Sequence, residues 1–155
     1  MSNFDASSFL DSTTKDALTR RPNVPVGTEL IGTIGEPKPR QSVGRQDPSQ
    51  VYTFLDLPIE FDLTQNPSIR QLVGQDKIIV TYGFSVDVTP SGGLDTSPGK
   101  NGRLRQLRDA LGMNKPGEAF NVRMLQARQI RAKIGERLND QDGEKYETVS
   151  AVAKA

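Results

Sequence analysis

At 155 residues, with 34% hydrophobic and 25% charged residues, the chain suits one domain large enough to bury a core. A formal net charge of +1 means that attraction for an anionic partner must come from where charges sit, not from their sum. Cysteine and histidine are both absent, which excludes disulfides, thiolate nucleophiles and cysteine-ligated metals and removes the commonest general base and metal ligand.

The opening MSNFDASSFL is polar and has no signal-peptide core, and no apolar run reaches the ~18 residues a membrane-spanning helix needs. Asp5 to Leu10 suits one helical turn with Asp5 as its N-cap. Asp11 to Pro25 reads as a polar, extended arm, so residues 1–26 form an arm and residues 27–155 the domain. Thr28 to Ile34 is the first strand, with Gly32 and Gly35 marking a bend or bulge. Glu36 to Ser49 reads as a loop, because Pro37, Pro39, Gly44 and Pro48 punctuate it. It carries Lys38, Arg40 and Arg45.

Gln50 to Leu63 is the clearest strand. Val51, Thr53, Leu55, Leu57, Ile59, Phe61 and Leu63 share one face with period two. Tyr52, Phe54, Asp56, Pro58, Glu60 and Asp62 share the other, and Pro58 implies a bulge or an edge. Asn66 and Pro67 open a helical turn that Gly74 ends. Lys77 to Val88 is the third strand. Ile78, Val80, Tyr82 and Phe84 lie on its apolar face and Lys77 on the opposite one. The Gly/Pro/Ser-rich loop Thr89 to Gly99 is expected to be mobile. A basic helix follows over Lys100 to Leu111, with a Leu104, Leu107, Leu111 stripe and Gly112 as its stop. Phe120 to Leu125 reads as a short link. Gln126 to Leu138 is the fourth strand, with Ile130, Ala132 and Ile134 inward and Arg131 and Lys133 outward. Asp142-Gly143 marks a hairpin turn, and Tyr146 to Val152 is the fifth strand.

The order strand, strand, strand, helix, strand, strand is that of an all-β, five-stranded OB-type barrel with its helix between strands three and four. Such barrels bind single-stranded nucleic acid or oligosaccharides on the face of strands two and three. Tyr52 and Phe54 lie two positions apart opposite the aliphatic face, spaced for stacking on successive unpaired bases. Lys38, Arg40 and Arg45, with Lys77, Arg131 and Lys133 on outward strand faces, would line a groove that follows a phosphate backbone. Tyr82 and Phe84 share a face with aliphatic residues and belong to the core.

Catalysis finds little support. Asp56, Glu60 and Asp62 could in principle hold a divalent cation, but a solvated strand face accounts for them better. Ser91 to Lys100 (SGGLDTSPGK) lacks the phosphate-loop spacing and the hydroxyl residue after its lysine. No cofactor, metal or enzymatic activity is expected.

The run Val88 to Phe120 (VTPSGGLDTSPGKNGRLRQLRDALGMNKPGEAF) carries GGLD, GKN before a basic helix, an LRxALGxN helix end and PGxxF. Together with FDASSFLD and DKIIVTYGFSVDVT, it resembles tailed-phage single-stranded-DNA-binding proteins. The resemblance implies an OB-type fold that coats single strands during phage DNA replication or recombination, in the cytoplasm of the infected bacterium. Its partners would be single-stranded DNA and, further, copies of itself or phage replication and recombination proteins, with no membrane. The chain ends SAVAKA without an acidic cluster, so recruitment through an acidic tail is not expected. The rival reading is a virion structural protein, capsid-decorating or joining, built on a small β-barrel with an ordering arm.

Overall fold

The structure, a computed structural model, describes residues 3–155. The two strands with the most regular alternation organise it. β3 (Val51–Asp62) and β4 (Lys77–Val86) pair antiparallel from Thr53↔Val86 to Asp62↔Lys77. Leu55, Leu57, Ile59 and Phe61 of β3 and Ile78, Val80, Tyr82 and Phe84 of β4 are all buried on one side. Between these strands, α2 (Pro67–Val73) starts at Asn66, whose side chain accepts from the Ile69 amide, and ends on Gly74 with a left-handed backbone.

β1 (Glu29–Ile34) pairs with β3 through Ile34↔Ile59 and with β5 (Gln129–Leu138) through Ile31↔Arg131. Gly32 points inward at a place where a Cβ would lie 2.6 Å from Ile59 Cγ2 and 2.7 Å from the Phe61 ring. The missing side chain lets Phe61 pack against the β1 backbone. β6 (Lys145–Ala153) pairs with β5, and the sheet reads β4–β3–β1–β5–β6.

Residues Lys38–Val43 are a strand, β2, where a loop over Glu36 to Ser49 was expected. β2 continues the lane of β1 along β3. Its register, Lys38↔Asp56 to Val43↔Val51, is offset by one residue from that of β1. Residues 35–37 thus face two residues of β3, which is a bulge. The Gly35 amide donates to the Pro58 carbonyl at 2.7 Å. Pro58 therefore has its missing N–H on the side where β1 hands over to β2, the place a central strand tolerates proline. Only Gly44 to Gln50 remains as a hairpin turn.

The sheet is therefore an open antiparallel one of six strands, not the closed five-stranded barrel expected. β4 and β6 come side by side without a ladder, and α3 (Gly102–Ala110) packs on both. Leu104 and Leu107 of α3 enter the core with Leu125, Ile130, Ile134 and Val149. Arg103 ties α3 to β6 by donating to the Ser150 carbonyl at 3.1 Å. The loop 89–99 is held by Asn101, which accepts from the Asp87 amide and donates to the carbonyls of Asp87 and Asp95. A 3-10 turn, Val122–Leu125, leads into β5.

The N-terminal segment has two parts. α1 (Ala6–Asp11) is capped by Asp5 and buries no residue. Further on, Arg20 lies 4.0 Å from the Tyr146 ring centroid and donates to Glu144, Arg21 pairs with Glu147, and Val24 enters the core. Among the described residues, no helix is long and apolar enough to cross a membrane.

Candidate nucleic-acid interface

Pleating decides which residues can meet a ligand on the outer face of the sheet. On β3 this face carries Tyr52, Phe54, Asp56, Glu60 and Asp62, as the alternation requires. The cross-strand register places Ser42 beside Tyr52, Arg40 beside Phe54 and Lys38 beside Asp56 on the same face. Lys38 and Arg40 are thus strand residues in fixed register with the aromatic pair, while Arg45 sits in the turn at the hairpin tip.

The two rings differ. Tyr52 is 47% exposed, and its hydroxyl donates to Gln50 Oε1 at 2.6 Å, which fixes the ring while leaving it open to solvent. Phe54 is half-buried beneath Arg40, whose guanidinium carbon lies 4.5 Å from the ring centroid. Arg40 Nε donates to Asp56 Oδ2 at 2.7 Å. Its two terminal nitrogens have no hydrogen-bond partner among the described residues, so they remain available to an anion. Asp56 has room for this pairing because Gly83 stands opposite it. A Cβ there would come within 2.7 Å of Asp56 Oδ1.

The remaining expected site residues lie at the other end. Arg131 is opposite Ile31 on β1, and the same row runs on to Asp62 and Lys77. Lys133 stands opposite Glu29. From Tyr52 to Asp62 along β3 is about 33 Å at ~3.3 Å per residue. Lys77, Arg131 and Lys133 therefore share a face with Tyr52 and Phe54 but not a site with them. They also sit among acids. Lys77 Nζ is 3.8 Å from Glu60 Oε1. Asp62 accepts from the Thr64 hydroxyl and amide, which hold its carboxyl below the usual range, so it stays anionic at neutral pH.

The three carboxylates of β3 are engaged separately, by Arg40, Lys77 and Thr64. Among the described residues no three acidic, histidine or cysteine side chains gather as a metal site. The residues that sequence reasoning missed here are Asp56 as the partner of Arg40, Ser42 beside Tyr52, and Gly83. Their roles depend on cross-strand register, set for β2 by the bulge at residues 35–37 and for Gly83 by the β3–β4 ladder, and it leaves no mark within any one segment. Tyr82 and Phe84 are core residues as expected, with ring centroids 4.9 Å apart. No protein-family model matches this chain, and no curated protein matches it.

Proposed function

We propose that the chain binds single-stranded DNA without sequence preference and without catalysis, through the outer face of the β2–β3 hairpin. The observation that carries this reading is the grouping there of Tyr52, Phe54, Arg40 and Lys38 in one register. Tyr52 offers an open ring to one base. Arg40, over the Phe54 ring, would offer a guanidinium plane to the next, and Arg guanidinium planes stack on bases much as rings do. The terminal nitrogens of Arg40, with Lys38 and Arg45, would neutralise phosphates along the strand.

The topology supports the same reading. With β2 taken as an extension of β1, the order β4–β3–β1–β5–β6 with a helix between β4 and β5 fits an OB-type fold, itself a partly open barrel. In that fold the strands corresponding to β3 and β4 form the binding face. The likeness to phage single-strand-binding proteins in the GGLD to PGxxF run agrees with it, and would place the protein in the cytoplasm of an infected bacterium during DNA replication or recombination.

Stacking is worth about 1–3 kcal/mol per base. Tyr52→Ala with Phe54→Ala is therefore expected to weaken binding to oligo-dT at least tenfold, with the fold intact by circular dichroism. Unchanged affinity in a fluorescence-anisotropy titration would remove both rings from the site.

The free arm favours a second reading. Phe4, Phe9, Leu10 and Leu18 are all exposed, which suits a virion decoration or joining protein that grips a protein partner. In that case DNA affinity would be weak and insensitive to salt.

A further inference from the structure

Among the described residues three arginines lie over aromatic rings, and they are not equivalent. Arg20, over Tyr146, has its terminal nitrogens taken up by Glu144, the Lys145 carbonyl and Asn23, so it serves as a fastening. Arg40, over Phe54, is held through Nε alone. Arg108 of α3 repeats this second arrangement. Its guanidinium carbon lies 4.0 Å from the Phe120 ring centroid, and its Nε donates to the Met113 carbonyl at 3.0 Å. Its terminal nitrogens have no hydrogen-bond partner among the described residues. Like Arg40, it covers a half-buried phenyl ring and keeps its outer nitrogens open to an anion.

A groove joins the two arginine–phenylalanine pairs. It begins at a cavity of about 470 Å³ between the β2–β3 hairpin and the loop 89–99, with Phe54 among its walls. Beside it lies a depression of about 480 Å³ bordered by Phe120 and Arg108, and then a smaller one of about 190 Å³ with Lys100 and Arg105. Leu94 borders all three, Val122 the first two and Arg108 the last two, so they make one track around the loop. The loop is a fastened wall, because Asn101 donates to the carbonyls of Asp87 and Asp95. Arg123 stands in the first depression, and it, Arg105 and Lys100 form no ion pair among the described residues. Glu36, Glu118 and Asp95 also border the track, so its four cations face three acids. That excess is slight. What marks the track is the ring with its open guanidinium midway along it.

We infer that a single strand held at the hairpin runs on through this track and stacks a further base on Arg108 and Phe120. Arg123, Arg105 and Lys100 then neutralise phosphates on either side of that base. Stacking there needs a base with a free face, which an unpaired strand offers and a duplex does not. The inference rests on the single-strand-binding reading and extends it from the outer face of the sheet to α3 and the loop before it.

Arg105→Ala with Arg123→Ala tests it on the full chain, since both side chains are exposed and their loss leaves the core untouched. Affinity is measured for oligo-dT of about 12 and about 4 nucleotides, within the ~4–16 that an OB-type domain covers. For the long strand the variant is expected to lose about tenfold in affinity, with a salt slope lower by ~1.4, ~0.7 for each phosphate released. For the short strand, which the hairpin holds by itself, the change is expected to stay below about twofold. A long strand carrying 5-iodouracil, irradiated with the unmodified protein, is expected to crosslink to Phe120 as well as to the rings of β3. If the unmodified protein binds neither strand, the single-strand reading falls and this inference with it. If Tyr52→Ala with Phe54→Ala weakens binding while the Arg105, Arg123 variant keeps both affinity and slope for the long strand, that reading stands and the inference is overturned. Crosslinks confined to β3 would overturn it equally.

Discussion

The two ends of the sheet's outer face both carry cations, yet they are built differently. At the hairpin end, Lys38, Arg40 and Arg45 accompany two aromatic side chains, and Asp56 binds only one nitrogen of Arg40. At the other end, Lys77, Arg131 and Lys133 stand among Glu29, Glu60 and Asp62, with the exposed aliphatic side chains of Ile31 and Ile79 and no ring. A positive residue on a strand face is therefore a poor guide to an anion site by itself. What distinguishes the hairpin end is that its cations lie in register with π-faces.

This contrast can be broken by substitution. The largest effect is expected from Tyr52→Ala with Phe54→Ala, at least tenfold on oligo-dT affinity from ~1–3 kcal/mol per stacked base. Asp56→Asn should act in the opposite direction. With its carboxylate gone, Arg40 is free for phosphate, and affinity is expected to rise about threefold with a salt slope steeper by ~0.7. Arg131→Ala with Lys133→Ala should cost about twofold or less in the same titration, since those charges lie at the far end of the face from the aromatic pair. A loss as large as that of the aromatic variant would mean that the two ends form one site. The smallest effect belongs to the inner face of β4. The Tyr82 hydroxyl is buried without a hydrogen-bond partner among the described residues. Tyr82→Phe should leave DNA affinity unchanged and, in urea unfolding, keep stability or raise it by about 1 kcal/mol.

Much of the fold was legible because burial wrote it as period-two alternation. Leu55, Leu57, Ile59 and Phe61, and Ile78, Val80, Tyr82 and Phe84, announce both their strands and their core face. Lys38–Val43 was not legible. It is exposed throughout, contains Pro39, and is a strand because the hairpin pairs it with β3, not because anything in it seeks burial. Val51 and Thr53 show the converse. Their alternation is right, but their strand runs past the core and leaves Val51 in solvent. Of the candidate site, the aromatic pair and the basic residues could be named from sequence. Their division into two ends could not, because it rests on the register across β1, β3 and β5. The fastening of Arg20 and Arg21 to Glu144 and Glu147 was equally hidden, since it joins segments far apart in the chain.

The most direct test of the account is a salt series of binding to single- and double-stranded DNA of equal length, run on the unmodified protein and on Lys38→Ala with Arg45→Ala. The account predicts tighter binding to the single strand at every salt concentration. It also predicts an affinity that falls linearly on logarithmic axes, with a slope reduced by about 1.4 in the variant, ~0.7 for each phosphate that is no longer neutralised. Equal affinity for the two forms, or a slope that the substitutions leave untouched, would contradict it.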